Sequence, residues 1–594
     1  MVNAFLCAFL GLTVLASPAA SGKKSGSGSQ LRALLDEVWE FELREDPLFA
    51  TQVGDHRFDD RLPAVRVPDQ ARRAQARRKF LERLRAIAPA GLNETDRDSQ
   101  ALQRVKLEDA IREFELHHYR FPINADSGFH MELAQLPSQM PFDTTRDYET
   151  YLARLRAFPE YMSQNTELLR EGLKAGWTLP KVALTGYEKT IEAHVVSDPA
   201  RSRFYQPFAN FPAGVPEADR ARLSAAAEKA IREDVVPAYR TFLEFMTRDY
   251  MPAARPTVGA GDLEGGPEYY AYLVHHFTTV DRTPDQIHAL GLEEVRRIRA
   301  EMEEVVRKTG FSGSFADFLK FLRTDPRFYA KTPEELLKQA SWIAKRIDGK
   351  LPSLFGRLPR QPYGVEPVPV EIAPKYTGGR YVAAPPGGKK GGTYWVNTYA
   401  LESRPLYVLE SLTLHEAVPG HHLQGALSAE LTDLPAFRRF LYVDAFGEGW
   451  GLYSERLGLE LGLYTDPYSN FGRLTYEMWR ACRLVVDTGL HAKGWTRQQA
   501  IDYLASNTAL SLHECATETD RYISWPGQAL AYKTGELKLR ELRRRAEDAL
   551  GPRFDVREFH DRVLEGGTMT LPILESRIDA WIRSKRSLPS APSN

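Results

Sequence analysis

The sequence predicts a mainly α-helical protein with a small antiparallel sheet in the second half of the chain. Apolar residues recur with the period of an amphipathic helix over most of the sequence, interrupted by Pro and Gly. Short β-branched or aromatic segments separated by Gly-rich turns cluster between residues 361 and 399. No internal repeat of solenoid period is present. The clearest predicted helices span residues 31–48, 70–87, 97–117, 148–175, 217–247, 284–309 and 333–347.

The composition is that of a globular protein and argues against nucleic-acid binding. Of 594 residues, 43% are hydrophobic and 26% are charged, close to the averages for globular chains, so a sizeable core can form. The 78 Lys and Arg residues balance 79 Asp and Glu residues, which leaves a net charge of −1. A protein that binds by neutralising phosphates carries a basic excess. We therefore expect no nucleic-acid partner.

The N-terminus is typical of an export signal. The apolar run at residues 4–16 is followed by small residues, and it is shorter than the roughly 20 apolar residues that span a bilayer. Residues 1–21 are therefore predicted to be a signal peptide, with a mature N-terminus near Ser21 or Gly22, and residues 22–30 a flexible linker. The protein is expected to be periplasmic or secreted. No later segment is apolar enough to span a membrane, so no stable insertion of the mature chain is expected.

Cys482 and Cys515 are the only thiols that remain once Cys7 is removed with the signal. Two cysteines are too few for the disulfide framework of small secreted domains. A single disulfide between them is one alternative, and two buried free cysteines are the expected state.

Three short segments define the predicted sheet. They are VPVEIAP, GRYVAAP and GTYWVNT, at residues 368–374, 379–385 and 392–398. Proline cannot donate to the ladder, so the prolines in and before these segments suit strand ends or an edge strand. Such an edge could pair with an extended peptide by strand addition, and a purely structural hairpin is the alternative.

The run from Leu412 to Gln424, LTLHEAVPGHHLQ, contains an altered zinc-binding motif. In the unaltered motif, HExxH, two histidines four residues apart share a helix face and bind Zn²⁺, and the glutamate accepts a proton from the zinc-bound water. Here Pro419 stands at the position of the second histidine. Proline lacks an N–H and clashes with the preceding turn, so we expect the helix to break or bulge at this point.

The break decides which histidine can join His415. On an unbroken helix, at about 100° per residue, His421 would lie about 120° from His415. Extruding Pro419 and Gly420 restores the motif spacing to His421, whereas His422 would require three residues to be extruded. His421 is therefore the preferred second ligand, and His422 is expected to donate to a carbonyl or to contact substrate.

A zinc hydrolase site of this type needs a third protein ligand, usually a Glu on a following helix. The best candidate is Glu448, because glycines at 447, 449 and 451 flank it within a helical pattern. Glycine costs helix stability and is expected where another backbone or the metal-binding helix approaches closely. Asp444 and Glu455 lie on the same side and are predicted to orient the ligand histidines as hydrogen-bond acceptors. A surface role for Glu448 is the alternative.

Four blocks of the sequence resemble one bacterial family. They are HEAVPGHHLQ at 415–424, FGEGWGLYSE at 446–455, RLVVDTGLH at 483–491 and RYISWPGQALAYKTG at 521–535, in that order. The chain is similar over nearly all of its mature length to the peptidase-like family known as domain of unknown function 885, in the thermolysin-like gluzincin clan. The resemblance implies a large two-lobed helical metallopeptidase fold around a channel, like those of angiotensin-converting enzyme, thimet oligopeptidase and the Taq-type carboxypeptidases.

The resemblance also implies the residues of the site. It supports His415, His421 and Glu448 as ligands of one Zn²⁺ and Glu416 as the general base. The departure from plain HExxH is shared by the family, so it is no sign of an inactive enzyme. One helical domain is expected at residues 31–590, with its catalytic part at 361–540.

Arg521 and Tyr522 resemble the Arg-Tyr pair of angiotensin-converting enzyme, whose tyrosine stabilises the oxyanion. This implies Tyr522 as a catalytic donor. The alternatives are that Tyr522 packs near Trp525 as an ordinary aromatic residue and that Tyr532 is the donor. Arg521 and Tyr532 are predicted to bind substrate. The predicted function is zinc-dependent hydrolysis of amide bonds in short peptides. The alternatives are hydrolysis of a non-peptide amide or amino-acid conjugate, and zinc binding without turnover. A pure binding protein needs no base beside its metal, so Glu416 argues against the last.

Other polar groups have structural explanations as good as functional ones. Asp487 and His491 are four residues apart on a predicted helix, so they are either an orienting pair beside substrate or an ordinary helix contact. The segment 513–518, which contains a His, a Cys and two Glu residues, is predicted to be a polar helix face and not a second metal cluster. The histidine pairs at 117–118 and 275–276 have no acid at ligand spacing and are treated as ordinary.

Overall fold

Helices make up most of the protein, as the sequence predicts. The computed structural model describes residues 26–125, 127–370, 372–384 and 390–587, so the predicted signal peptide lies outside the described residues. Within these ranges no helix is both long and apolar enough to cross a membrane. The longer helices are α1 (Ser27–Glu45), α2 (Val67–Arg85), α3 (Glu94–Glu115), α4 (Thr145–Lys174), α5 (Glu217–Ala230), α6 (Val236–Phe245), α7 (Gly266–Thr278), α8 (Pro284–Lys308), α9 (Phe315–Thr324), α10 (Pro333–Asp348), α11 (Leu409–Glu416), α12 (His421–Ala429), α13 (Asp444–Leu457), α14 (Pro467–Ala492), α15 (Arg497–Asn507), α16 (Leu512–Ser524), α17 (Ala531–Leu550), α18 (Val556–Leu564) and α19 (Leu571–Ser587). Shorter helical segments include Pro47–Gln52, Phe129–Leu133, Leu136–Gln139, Lys189–Glu192, Gln206–Ala209, Met251–Ala253 and Ala436–Phe440.

Six of the seven helices singled out in the sequence are confirmed, with ends shifted by a few residues. Local caps set several of these ends: Asn93 accepts from a backbone N–H in the first turn of α3, and Thr283 begins α8 with a capping box. The predicted linker at 22–30 is too long, because residues from Ser27 onward already form the first turn of α1. Ser and Gly are tolerated there, since the first N–H groups of a helix have no partner within it.

Residues 217–247, predicted as one helix, form two helices separated by a wider turn. α5 ends at Ala230, a π-helical turn follows at Ile231–Val235, and α6 begins at Val236. Pro237 lies in the first turn of α6 and lacks the N–H that an unbroken α-helix would need there. The hydrogen-bond pattern therefore widens at this point.

Two main hydrophobic cores hold the helices together. The larger one joins helices α1 to α3 with the C-terminal half of the chain, through side chains such as Leu34 and Trp450. The second is built from residues 123–254, with Phe158 and Tyr239 at its centre. Two cores are what a two-lobed protein requires, since each lobe needs its own buried apolar side chains. The channel between the lobes stays a prediction.

α14 is the central helix of the larger core, and a buried ion cluster fastens it to its neighbours. Every residue of α14 from Phe471 to His491 is buried. Lys533, fully buried on α17, lies within 3.1 Å of carboxylate oxygens of Glu294 on α8, Glu477 on α14 and Glu536 on its own helix. A buried charge is stable only when paired, so this cluster fixes α17 against α8 and α14.

The sheet has three strands in the order β1-β3-β2 and is mixed, not antiparallel as predicted. β1 (Tyr363–Pro367) pairs parallel with β3 (Gly392–Val396), and β2 (Gly379–Val382) pairs antiparallel with β3. The predicted first strand at 368–374 is wrong for the residues that the structure describes there, 368–370 and 372–374. Prolines within that segment remove ladder donors, so the strand lies before it and ends at Pro367. β2 is an edge strand and lies next to α11.

Cys482 and Cys515 are both buried and free, as expected. Burial raises the pKa of both thiols. Neither side chain therefore carries the thiolate that reactive cysteines need, and both serve as small apolar core residues.

Candidate metal centre

The helix that carries the altered zinc motif breaks where the sequence predicts. α11 ends at Glu416 and α12 begins at His421, and the backbone between them leaves helical geometry, with ψ of −108° at Ala417. Pro419 lies within this break. His415 therefore stands in the last turn of one helix and His421 in the first turn of the next.

The break brings His415 and His421 together with Glu448 of α13. The Nε2 atoms of the two histidines lie 3.5 and 3.4 Å from Glu448 Oε2. One ligand atom from each of the three side chains lies within 4.8 Å of the others. The two imidazole rings are 4.7 Å apart between centroids and nearly perpendicular, at 85°.

These distances fit a tetrahedral cation better than a hydrogen-bonded cluster. Ligand atoms about 2.0–2.2 Å from a tetrahedral Zn²⁺ lie about 3.3–3.6 Å from one another. An N–H···O hydrogen bond is about 2.9 Å long, shorter than either histidine contact to Glu448. Two imidazoles and one carboxylate are also a donor set that catalytic zinc sites use. The three side chains therefore fit one Zn²⁺ with a fourth coordination position to spare.

His422, the alternative ligand, is engaged elsewhere. Its Nε2 lies 3.1 Å from the Gln361 carbonyl oxygen, and its Nδ1 lies 3.2 Å from the Tyr381 hydroxyl. Burial lowers the pKa of His422 to about 4, so the ring is neutral at pH 7. The residue fastens α12 to the sheet, in keeping with the expectation that it contacts a carbonyl.

Two side chains outside the triad contact the candidate ligands and orient them. Glu455 Oε1 lies 2.8 Å from His415 Nδ1, as predicted, and so fixes which imidazole nitrogen faces Glu448. Tyr442 donates to Glu448 Oε1 at 3.3 Å. The sequence gives no signal for this role of Tyr442, because the residue precedes α13 and has no helical periodicity with Glu448.

The predicted role of Asp444 is wrong. Asp444 Oδ1 accepts from Gln528 Nε2 at 3.2 Å and not from a ligand histidine. Asp444 is the first residue of α13, and from there its side chain reaches the segment that leads into α17. Burial and the charge of Glu448 raise the pKa of Asp444.

The glycines around Glu448 permit two close approaches. A Cβ on Gly451 would lie 2.7 Å from the His415 ring, and one on Gly449 would lie 2.5 Å from Gly535 Cα on α17. Any larger residue would force α11 or α17 away from α13. The prediction that glycine marks the approach of the metal-binding helix and of another backbone is confirmed.

Glu416 lies beside the triad of His415, His421 and Glu448 but is not part of it. Its Oε2 accepts from the backbone N–H of Tyr381 at 2.8 Å. Tyr381 is in β2, whose other side pairs with β3. The edge of β2 that is not paired with β3 therefore faces Glu416.

Charge compensation keeps the triad in a form that can bind a cation. Burial alone would raise the pKa of Glu448, but His415 and His421 outweigh it and hold that pKa well below its usual range. Burial lowers the pKa of His415, whereas Glu448 and Glu455 raise it, to about 9. The Glu448 carboxylate is therefore ionised at neutral pH, and a cation that binds here displaces a proton from imidazole.

Tyr522 is enclosed by packing contacts. It is 1% exposed, and its hydroxyl accepts from Trp479 Nε1 at 2.9 Å and from Arg483 Nε at 2.8 Å. Within the described residues, no side chain of the metal triad forms a hydrogen bond with it. These contacts join α16 to α14.

Tyr532 and Arg521 lie at the edge of the triad. The Tyr532 ring is stacked beside that of His415, with centroids 6.4 Å apart and planes at 20°. Its hydroxyl lies 3.4 Å from Arg521 Nη2, and the same nitrogen donates to Gln528 Oε1 at 2.6 Å. The structure therefore brings Tyr532, more directly than Tyr522, to the candidate ligands.

Asp487 and His491 fasten different segments and do not act as a pair. Asp487 accepts from the Tyr270 hydroxyl at 2.6 Å and from the Gly527 N–H at 3.1 Å. His491 Nδ1 accepts from the Ala260 N–H at 2.9 Å. All three contacts are buried, so these residues join α14 to α7 and to neighbouring connecting segments.

A second cluster of two acids and a histidine lies outside the candidate metal centre, and the sequence does not predict it. Asp109, Glu113 and His276 place ligand atoms within 4.8 Å of one another. His276 is thus not the ordinary residue expected: its Nδ1 lies 2.9 Å from Asp109 Oδ2, as an ion pair. The acids are on α3 and the histidine on α7, so the one signal visible in the sequence is the i,i+4 spacing of the acids.

Two solved structures share the fold. A candidate lipoprotein from Colwellia psychrerythraea is 28% identical, and the match covers 94% of this chain and 100% of that one with a TM-score of 0.88. A candidate lipoprotein of unknown function from Shewanella oneidensis is 18% identical, covers 93% of this chain and 99% of its own, and has a TM-score of 0.69. The second likeness shows the fold alone. No curated protein matches the chain significantly.

The family assignment rests on nearly the whole chain. The family described as bacterial protein of unknown function (DUF885) matches residues 47–578. This span includes the four sequence blocks and every residue of the candidate metal centre. The family's description names no activity, so membership of the family does not indicate which reaction the protein performs. The chain belongs to the DUF885 family of bacterial proteins.

Proposed function

We propose that the protein hydrolyses amide bonds of short peptides with the help of a metal ion. The donor set of two imidazoles and one carboxylate favours Zn²⁺ as that ion. The observation that carries the proposal is the position of Glu416. Glu416 lies next to three side chains that have the spacing of a zinc site. It is not one of them, because its carboxylate accepts a hydrogen bond from the Tyr381 N–H. When bound, Zn²⁺ supplies a Lewis acid and lowers the pKa of water. A site that only stores a metal has no use for a base beside it.

The chain's own groups would then divide the work. Glu416 takes the proton of the attacking water and returns it to the leaving amine. The open edge of β2, which contacts Glu416, aligns an extended substrate backbone. Tyr532, beside His415, donates to the carbonyl oxygen as negative charge develops there.

A peptide library assayed with and without a chelator tests this function. We expect some dipeptides or tripeptides to be cleaved, the activity to vanish with chelator, and Zn²⁺ to restore it. Hydrolysis that chelator leaves unchanged would contradict the proposal. Cleavage of amino-acid conjugates but of no peptide would favour the alternative substrate, and no cleavage at all would favour a binding role.

The oxyanion donor is tested by two matched variants. Tyr532→Phe is expected to lower kcat by about 10²–10³, the loss typical of one such donor, because a hydroxyl is removed from beside His415. Tyr522→Phe should change kcat little, since that hydroxyl is bound by Trp479 and Arg483. Zinc content should be unchanged in both. The reverse pattern of kcat would give the role to Tyr522, as the Arg521-Tyr522 resemblance implies.

We also propose that the protein is exported, to the periplasm or beyond. The apolar run at residues 4–16 supports this, and the relative from Colwellia psychrerythraea is described as a candidate lipoprotein. N-terminal sequencing of protein from the native host should read from near Ser21 or Gly22. An intact Met1 would contradict export by signal cleavage.

A further inference from the structure

Arginines surround Tyr532 at the edge of the candidate metal centre. The Arg483 guanidinium carbon lies 4.2 Å from the centroid of the Tyr532 ring. Arg521 Nη2 lies 3.4 Å from the Tyr532 hydroxyl. Arg483 is 2% exposed, and its buried Nη1 has no hydrogen-bond partner among the described residues. A buried donor of this kind is rarely left unpaired, which points to a missing acceptor nearby.

Arg380 reaches the same region from the edge strand β2. It directly precedes Tyr381, whose N–H holds Glu416. Its side chain is exposed, and no carboxylate of the described residues forms a salt bridge with it. Desolvation lowers the pKa of Arg380. Tyr376 and Glu416 raise it by more, and Tyr532 raises it too, so the pKa of Arg380 is raised overall.

The positive charges here exceed the negative ones. Glu518 Oε2 pairs with Arg483 at 2.8 Å and with Arg521 at 3.4 Å, so two arginines share one acid. Glu416 is the carboxylate that acts on Arg380, so three arginines face two carboxylates. Arg480 is left out of this count because Glu455 pairs with it. A bound Zn²⁺ would bring two positive charges against the one negative charge of Glu448, which adds to the excess. The site therefore favours a ligand that brings its own negative charge.

We propose that Arg380 and Arg521 bind a carboxylate of the substrate, namely the free C-terminal carboxylate of a short peptide. Planar guanidinium groups bind carboxylates through paired N–H donors. This inference rests on the proposed amide hydrolysis and names its substrate class.

The length of an extended peptide residue indicates how far the substrate carboxylate lies from the scissile bond. Arg521 lies one hydrogen bond beyond Tyr532, the proposed oxyanion donor. One extended residue spans about 3.3–3.6 Å. A carboxylate held by Arg521 and Arg380 therefore belongs to the first or second residue after the scissile bond. The reaction is removal of one or two residues from the C-terminal end of a peptide.

Three tripeptides test the inference with the zinc-loaded protein: one with a free C-terminus, its C-terminal amide, and an amide with Asp as its last residue. For the wild type, kcat/KM for the free acid should exceed that for the plain amide by about 10- to 100-fold, the range for hydrogen bonds to a charged group. Arg380→Ala should remove most of this preference by slowing the free acid alone, and Arg380→Lys should retain part of it. Arg360→Ala, at a side chain that is 85% exposed and paired with Glu430, is the control and should change nothing.

Binding to zinc-loaded Glu416→Gln, measured by calorimetry, gives a readout that does not need turnover. The free acid should bind at least about 10-fold more tightly than its amide, and adding Arg380→Ala should remove most of the difference. Equal affinity for acid and amide, or a preference that Arg380→Ala leaves undiminished, overturns the inference. Tighter binding of the Asp-containing amide than of the free acid overturns the assignment to the C-terminus. Selective binding without hydrolysis of any peptide would contradict the proposed function and leave the carboxylate site standing.

Discussion

Glu416→Gln is expected to abolish turnover while the metal and the fold stay in place. Glutamine keeps the size of the side chain, and its amide oxygen can still accept the Tyr381 N–H that Glu416 accepts at 2.8 Å. It cannot accept a proton. A positioned general base contributes about 10²–10⁴ to the rate, so kcat should fall by at least that factor. Initial rates, metal analysis and thermal unfolding of the same preparation check the three parts of this prediction.

Glu410→Gln is the matched control for this variant. Glu410 is on the same helix, α11, and its carboxylate also accepts a backbone N–H, that of Tyr464 at 3.2 Å. Glu410 is not part of the triad, so the activity of the Glu410→Gln variant should stay near that of the wild type. If Glu416→Gln retains activity within a few-fold, another group activates the water. If it loses the metal, Glu416 is a ligand and the assignment of roles is wrong.

Glu448→Ala should lose most of its zinc, whereas Glu455→Ala should lose much less. Glu448 Oε2 is the atom within 3.5 Å of both histidine Nε2 atoms, so its removal leaves two ligands. Glu455 would act on a bound ion only through His415, and loss of such an orienting partner typically costs about 10- to 100-fold in affinity. Competition with a chromophoric chelator measures both affinities on one scale.

The comparison of these two variants separates ligand from support. Each change removes one carboxylate from α13, that of Glu448 being half-buried and that of Glu455 buried, so general damage to the helix should affect both variants. Equal zinc retention in the two variants would mean that Glu448 is not the third ligand. Greater loss in Glu455→Ala would place the metal closer to Glu455 than the structure implies.

Local sequence signals predict most of the fold and the centre of the site. The period of apolar residues and the caps at Asn93 and Thr283 act within a few residues, so the helices are readable from the chain alone. The break at Pro419 is equally local, because a proline affects the turn in which it stands. From this break the choice of His421 over His422 follows.

Features that depend on distant segments are not readable in this way. Asp444 has the periodicity of an orienting residue, yet Gln528, far along the chain, takes its carboxylate. His276 gains its acid from Asp109 only because α3 and α7 meet in the fold. The choice between Tyr522 and Tyr532 also depends on distant segments. The resemblance to angiotensin-converting enzyme points to Tyr522, whereas the fold places Trp479 where it donates to the Tyr522 hydroxyl.

The number of zinc ions bound per chain tests the central claim most directly. Native mass spectrometry of protein purified without chelators and supplied with Zn²⁺ should find one tightly held ion per chain, because three ligands with one spare position define one site. The double variant His415→Ala/His421→Ala should hold none. Two tightly held ions in the wild type, or none, would contradict a single zinc site built from His415, His421 and Glu448.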